Sequence, residues 1–249
     1  MSAAMHSTRA SGPFPRSAAH GRGVRAQAVA VVAAAASPTR ANVLCWAVIA
    51  LVIAFELVAV AVLSSGEIYG WEVKLSRFLQ GQERLSSLAF DLTSPLTNAL
   101  STDFLFPFAL FVLVLAGLRY YQAAAMVALT LPVHVLAQFP KALVDRPRPP
   151  AQFEGLFGVG GGQSFPSGHV EYAVTLYGFL LYLLLKHVPG LRVRVLLIGV
   201  HVMFVVTTAI GRVGAGRHWG ADVIASAIVG VGALAGLVWL DRALSARSR

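Results

Sequence analysis

Three short polar clusters interrupt an otherwise apolar sequence: "KALVDRPRPP" at 141–150, "FPSGH" at 165–169 and "GRVGAGRHWGAD" at 211–222. They contain five cations and two histidines, namely Lys141, Arg146, Arg148, Arg212, Arg217, His169 and His218. So many cations would repel a divalent metal ion, whereas guanidinium and ammonium groups bind phosphate oxygens through charge-assisted hydrogen bonds. The clusters therefore predict an anion site without a metal, and phosphate is the natural ligand.

The second cluster adds backbone donors to this chemistry. Pro166 pre-sets a turn, and Ser167 can cap the helix that follows. Gly168 allows the main chain to approach an oxyanion closely, at a helix N-terminus that itself favours anions. This turn would aim His169 at the bound group.

The third cluster contains a histidine and a carboxylate four residues apart, His218 and Asp222. On a helix they would share a face, so the carboxylate could hold one ring nitrogen while the other points outward. An imidazole held in this way can act as a nucleophile or a base. The alternative is that the pair merely solvates a loop at a membrane interface, and the two other clusters argue against it.

The composition shows where these clusters lie. The chain has 249 residues, 57% of them hydrophobic and 12% charged, with a mean hydropathy of +0.70. Soluble domains carry about 25% charged residues, so a membrane protein is predicted. The formal charge of +9 falls mainly in tails and short loops, which favours a role in membrane topology and no nucleic-acid partner.

Six apolar runs are candidate transmembrane helices: about 42–64, 103–118, 122–139, 168–186, 194–211 and 219–240. Only helices or closed barrels satisfy their backbone in lipid, and the runs do not alternate, so we expect an all-α six-helix bundle. Between the first two runs, Trp71, Leu75, Phe78 and Leu79 recur at helical spacing. They predict a helix on the membrane surface, with an ordinary loop helix as the alternative.

We expect a disordered basic tail at 1–41, a six-span domain at 42–240 and a short basic tail at 241–249. The apolar run at 26–36 is similar to part of a signal peptide, so cleavage has to be considered. The charge distribution favours an uncleaved tail, because cytoplasmic termini place most of the twenty basic residues inside. The tails would then contact anionic lipid, and all three clusters would lie at the outer face.

The three clusters resemble the signature motifs of the type 2 phosphatidic acid phosphatase superfamily. The matching residues are Lys141 with Arg148-Pro149, the run Pro166 to His169, and Arg212 with His218 and Asp222. The resemblance covers about residues 42–240. One departure is visible, since the third motif usually opens Ser-Arg and here reads Gly211-Arg212. We expect the missing hydroxyl to weaken one contact by about 1 kcal/mol.

The resemblance implies a role for each motif residue. His218 would attack phosphorus and form a phosphohistidine, Asp222 would orient it, and His169 would protonate the leaving oxygen. Five groups would hold the phosphate oxygens, from Lys141, Arg148, Ser167, Gly168 and Arg212. No metal or other cofactor is required, because the cations neutralise the transition state.

The predicted function is the metal-independent hydrolysis of a lipid phosphate monoester or a polyprenyl pyrophosphate at the outer membrane face. A phosphotransferase would use the same phosphohistidine, and a haloperoxidase would hold vanadate in the same pocket. A glucose-6-phosphatase-like activity on a soluble sugar phosphate is a further alternative. A non-catalytic lipid-phosphate binding protein would retain the cations without needing the histidines.

Other polar residues have less specific interpretations. Glu56 is expected to make a structural hydrogen bond inside the bundle, and His134 and His201 to bond between helices. Glu171 could tune His169 or complement the start of its helix, with neither favoured. The remaining interpretations are an ion pair of Asp145 with Arg146 or Arg148, a phosphate contact by Arg217 and a flexible lid at 158–163.

Overall fold

The computed structural model describes residues 40–63, 65–149 and 162–246. The predicted tail at 1–41, except for its last two residues, and the predicted lid, except for residues 162 and 163, lie outside this part of the chain. So does the run at 26–36.

The described residues form eight α-helices and no strand, which confirms the all-α prediction. A 3₁₀ turn at Phe139–Ala142 extends the fifth helix, Tyr121–Ala137. The helices are α1 Arg40–Leu63, α2 Gly70–Gln80, α3 Glu83–Thr97, α4 Thr102–Gly117, α5 Tyr121–Ala137, α6 Gly168–Leu185, α7 Leu191–Gly214 and α8 Gly220–Ser245.

Four helical segments are long and apolar enough to cross a bilayer: Tyr121–Ala142, Gly168–Leu185, Leu191–Gly214 and Gly220–Ser245. The protein is therefore a multi-pass membrane protein. The two other predicted spans correspond to shorter apolar helices, Ile49–Leu63 and Phe104–Gly117. Six crossings thus remain a prediction.

The predicted surface segment forms two helices, α2 and α3, which meet at Gly81 and Gln82. Along α3, Ser86, Thr93 and Thr97 are buried, whereas four leucines point outward: Leu85, Leu88, Leu92 and Leu96. On α2, Glu72 is buried while Phe78 is exposed. A polar face toward the protein and an apolar face outward is the arrangement expected beside lipid, not beside water.

Small residues allow the helices around the site to pack closely. A Cβ on Gly211 of α7 would lie 2.7 Å from the backbone nitrogen of Phe90 in α3. A Cβ on Gly230 of α8 would lie 2.8 Å from Val174 of α6. The site is built at one end of these two tightly packed pairs, α3 with α7 and α6 with α8.

Candidate active site

The three sequence clusters meet around one pocket of about 310 Å³. It lies where the extension of α5, the start of α6, the end of α7 and the turn before α8 come together. Six of the eight predicted site residues line it: Lys141, Arg148, Gly168, His169, Arg212 and His218. The other two, Ser167 and Asp222, are fully buried.

His218 is held by a backbone carbonyl. Its Nδ1 lies 2.6 Å from the carbonyl oxygen of Ser164, whereas the nearest Asp222 oxygen is 3.9 Å away. The direct hydrogen bond predicted between Asp222 and the ring is therefore not made, and the orienting role implied for Asp222 stays a prediction. The reason is local, because His218 lies in the turn before α8, whose N-cap is Trp219, and so does not share a helical face with Asp222.

Asp222 instead anchors the loops that carry the histidine. Its Oδ2 accepts a 2.7 Å bond from the backbone N–H of Trp219 and a bond from the hydroxyl of Ser164. Its Oδ1 accepts a 2.6 Å bond from Nη1 of Arg146. Ser164 therefore links the two residues, since its hydroxyl bonds Asp222 and its carbonyl bonds His218.

Arg146 is fully buried behind the pocket. Besides its bond to Asp222, its Nη2 donates to Glu72 Oε2 at 2.7 Å and to the carbonyl of Glu67 at 3.2 Å. The expected pairing with Asp145 is wrong, because Asp145 points outward and is exposed while Arg146 points inward. Burial lowers the pKa of Arg146, but the two carboxylates outweigh burial and raise it. The guanidinium therefore stays charged.

Glu72 is a site-supporting residue that sequence reasoning missed. It is fully buried and accepts bonds from the backbone N–H groups of Tyr69 at 3.1 Å and Ala221 at 2.9 Å. With Arg146 it ties α2 to the start of α8. The sequence carried no specific signal for this pairing, because Asp145 lies directly beside Arg146 in the chain and Glu72 does not.

The surroundings keep His218 neutral. Burial is the main cause that lowers its pKa well below 6.5, and the positive charges of Arg148 and Lys141 lower it further. The Ser164 carbonyl opposes this effect without cancelling it. A neutral imidazole that donates its Nδ1–H to a carbonyl presents the lone pair of Nε2, which is the form needed for attack.

The turn of the second cluster is bonded differently from the prediction. Ser167 is the N-cap residue of α6, but its side chain makes no capping hydrogen bond. Its backbone N–H donates to Ser226 Oγ at 2.7 Å, while its own hydroxyl is buried and finds no partner in the described part of the chain. At Gly168 a Cβ would lie 3.0 Å from Oε1 of Gln138, so packing also favours glycine there.

Arg212 is positioned by α3. Its Nη2 donates to Ser94 Oγ at 2.6 Å, and its guanidinium lies 4.5 Å from the ring centroid of Phe90. The same helix explains the departure at Gly211, since a Cβ there would collide with the α3 backbone. A serine at position 211 would therefore not fit, and the hydroxyl that contacts Arg212 comes from Ser94 instead.

Arg148 reaches the pocket from the loop after α5. Its Nε donates to the carbonyl of Gly162 at 3.3 Å and its Nη1 to the carbonyl of Arg217 at 3.2 Å. Arg217 therefore supports Arg148 through its main chain, and its predicted phosphate contact remains untested.

The lesser interpretations have mixed outcomes. Glu171 lies in the first turn of α6, as expected of a residue that complements the helix start, and it pairs with Nδ1 of His134 on α5. Its hydrogen bonds in the described residues do not reach His169. The interhelical role predicted for His134 is confirmed. His201 lies against Gly178 of α6 without a hydrogen bond in the described residues. Both carboxyl oxygens of Glu56 are buried and lack the predicted structural bond within the described ranges.

A second cavity of about 310 Å³ lies between α3, α4 and α6. Its lining is almost wholly apolar and includes Leu96, Phe104, Phe108, Phe111, Leu176 and Leu180. The first pocket is lined by Thr97 and Leu100 and the second by Leu96, so both cavities reach the α3–α4 junction.

The profile of the PAP2 superfamily matches residues 104–245, more than half of the chain. The chain belongs to the PAP2 superfamily. The expected resemblance is confirmed, and with it the prediction of a phosphatase. The match begins in α4 and includes every motif residue, whereas α1 to α3, with Glu72 and Ser94, lie outside it.

One solved structure is similar to this PAP2 chain: "Crystal structure of the first transmembrane PAP2 type phosphatidylglycerolphosphate phosphatase from Bacillus subtilis". The identity is 22%, the match covers 84% of this chain and 96% of that chain, and the TM-score is 0.46. No curated protein matches the chain.

Proposed function

We propose that this PAP2 protein hydrolyses a lipid phosphate monoester or a polyprenyl diphosphate through a phosphohistidine, without a metal ion. The observation that carries the proposal is the environment of His218. Its Nδ1 is tied to the Ser164 carbonyl, it shares a pocket with His169, and three cations line that pocket. A nucleophile, an acid and oxyanion donors are the parts that phosphoryl transfer through a histidine requires.

The reaction proceeds in two displacements. The Nε2 lone pair of His218 attacks phosphorus, the bond from phosphorus to the leaving oxygen breaks, and His169 gives that oxygen a proton. Water then attacks the phosphohistidine and passes a proton to His169, the phosphorus–nitrogen bond breaks, and neutral His218 is restored. Phosphate and the dephosphorylated lipid leave.

Charge stabilisation is assigned to Lys141, Arg148 and Arg212. All three line the pocket, and Ser94 and the Arg217 carbonyl fix the two arginines. These cations would bind the equatorial oxygens together with the Gly168 N–H at the start of α6, and Ser167 would support that turn. They supply the charge neutralisation that magnesium supplies in many phosphoryl transfers, so the reaction is expected to continue in excess chelator.

A lipid substrate is favoured by the apolar cavity that reaches the same α3–α4 junction as the pocket and by the outward leucine row of α3. A phosphate could occupy the polar pocket while its acyl or prenyl chain lies in the apolar one and continues into the bilayer. The charge distribution supports cytoplasmic termini, tails on anionic lipid and a pocket at the outer face. The catalytic unit is the six-span segment at 42–240 between the two basic tails.

The test is phosphate release by detergent-purified protein in excess chelator, with wild type compared with His218→Ala. The substrates are phosphatidic acid, phosphatidylglycerol phosphate and undecaprenyl pyrophosphate. We expect release by wild type alone. If wild type binds these lipids but releases no phosphate, with or without a glycerol acceptor, the hydrolase proposal is wrong.

A further inference from the structure

The α5 wall of the pocket carries polar residues that the three clusters do not include. His134, Gln138 and Lys141 are spaced by four and three residues along α5 and its 3₁₀ extension, and all three line the pocket. This spacing places them on one helical face. The wall therefore offers an imidazole and an amide next to the phosphate-binding lysine.

The amide nitrogen of Gln138 has no hydrogen-bond partner in the part of the chain that the structure describes. This atom, Nε2, is buried. The Oε1 of the same amide packs against Gly168, the residue before His169. An unmade buried hydrogen bond is destabilising, so an oxygen acceptor of a bound molecule is the partner that this donor lacks.

His134 is fixed beside it. Its Nδ1 bonds Glu171, whose other oxygen accepts a 2.7 Å bond from Thr175 Oγ1. The ring also packs against Tyr172, with 4.7 Å between centroids. The imidazole therefore has a set orientation and forms the wall of the pocket beside Gln138.

The pocket has more room and more positive charge than one phosphate needs. Its volume of about 310 Å³ lies at the lower end of the roughly 300–1,000 Å³ of small-molecule pockets. Three cations line it, and the nearby carboxylate of Asp222 is already bonded to Arg146. A phosphate monoester brings two negative charges, so a further negative charge on the substrate would balance the third cation.

We propose that Gln138, with His134 beside it, binds a second phosphate group carried by the leaving part of the substrate. This inference rests on the proposed function, and it narrows the substrate class. Two kinds of lipid meet the requirement, a polyprenyl diphosphate and a phosphate monoester whose leaving group contains a phosphodiester. The second phosphate lies on the leaving side because Gln138 adjoins Gly168 and hence His169, the proposed acid.

The test uses two substitutions that keep the shape of Gln138 in the full-length protein. Gln138→Met removes the donors, and Gln138→Glu replaces them with a negative charge. Values of kcat/KM are measured for undecaprenyl pyrophosphate, phosphatidylglycerol phosphate and phosphatidic acid, and the last has no second phosphate. We expect a loss on the order of tenfold in Gln138→Met for one or both of the two-phosphate lipids, and a larger loss in Gln138→Glu.

Phosphatidic acid hydrolysis should fall by a clearly smaller factor in Gln138→Met than hydrolysis of the affected two-phosphate lipid, because phosphatidic acid has no second phosphate for Gln138 to bind. If kcat/KM falls for only one of the two lipids that carry a second phosphate, that lipid is identified as the one whose second phosphate Gln138 binds. An equal loss on all three lipids, or no loss on any, would overturn the proposal and leave Gln138 as a packing residue.

A binding measurement separates this inference from the proposed reaction. Methylenediphosphonate, which is not hydrolysed, and inorganic phosphate are titrated into wild type and Gln138→Met. We expect wild type to bind the diphosphonate more tightly and the variant to lose most of that difference. If wild type prefers the diphosphonate but hydrolyses none of the lipids, the proposed reaction is wrong and the subsite is not. If Gln138→Met prefers the diphosphonate as strongly as wild type does, the subsite is wrong and the reaction is not.

Discussion

The Nδ1 atom of His218 lies 2.6 Å from the carbonyl oxygen of Ser164. A carbonyl can only accept, so this bond fixes the proton on Nδ1 and directs the lone pair of Nε2 away from it. The orientation of the proposed nucleophile thus depends on a backbone atom, whose position Asp222 sets by bonding the hydroxyl of the same serine.

Ser164→Ala removes the hydroxyl that links this loop to Asp222 but keeps the carbonyl. We expect phosphate release to slow on the order of tenfold, because one hydrogen bond that positions the loop is lost. Ser87→Ala is the matched control, since that exposed hydroxyl bonds only carbonyls of its own helix. A Ser164→Ala rate equal to that of wild type would show that the link is not needed.

Arg146→Met leaves Glu72 and Asp222 buried without their shared cation. Breaking a buried ion pair by removing one partner costs about 3–5 kcal/mol, so we expect a large fall in the unfolding temperature measured in detergent. Adding Glu72→Gln should restore part of the loss, because one uncompensated carboxylate is removed. The control is Arg77→Met on the exposed face of α2, and similar melting of both single variants would contradict this account.

The grouping of the eight predicted site residues was predictable because it depends on local features of the sequence. The motif spacings and the parity of helical spans place the ends of α5 and α7 and the start of α6 at one membrane edge, and six of eight predicted residues do line one pocket. The two others are buried behind it. Helix type was predictable for the same reason, since long apolar runs without alternation satisfy their backbone in lipid as helices.

The supporting bonds were not predictable, because they join distant segments or use the main chain. Glu72 and Arg146 are 74 residues apart, and neither segment carries a sequence pattern that predicts the other as its partner. The Ser164 carbonyl has no signature in a sequence, since every residue carries one. The helical spacing of His218 and Asp222 misled for a related reason, because α8 begins only at Gly220.

Gly211→Ala tests the close approach of α3 to α7. A Cβ at this position would lie 2.7–2.8 Å from backbone atoms of Ala89 and Phe90, so α3 must move away and carry Ser94 from Arg212. We expect a lower melting temperature and at least a tenfold loss of kcat/KM, because a fixed phosphate ligand is released. Gly199→Ala on the same helix has open space around it and should change neither. Equal behaviour of the two variants would argue against this packing.

The fall of kcat/KM at low pH is expected to follow protonation of the His218 ring. Attack requires the neutral ring, and burial with Arg148 and Lys141 lowers its pKa well below 6.5. The neighbouring His169 also lowers this pKa, and the Asp222 carboxylate lies 3.9 Å away. As pH falls through the lowered pKa the ring of His218 gains a proton, so we expect activity to be lost on the acid limb of the pH profile only below pH 6.5. Loss of the proton that His169 gives as the proposed acid governs the opposite limb.

Ionisation of the substrate phosphate, whose second pKa is about 6, must be separated from this effect. Lys141→Gln removes one cation that faces His218 and should move the acid limb to higher pH, although overall activity is lower. Substrate ionisation is the same in both proteins. An acid limb that does not move would assign it to the substrate and contradict the neutral-nucleophile account.

The most direct test of the central claim is to trap the covalent intermediate. Wild type and His218→Ala are mixed with lipid substrate labelled in its terminal phosphate, in excess chelator, and quenched in alkali within one turnover. We expect a label on His218 of the wild type that is stable to alkali and lost in acid, and no label on the variant. Turnover of the wild type without any labelled protein, or a label that persists in His218→Ala, would contradict the claim.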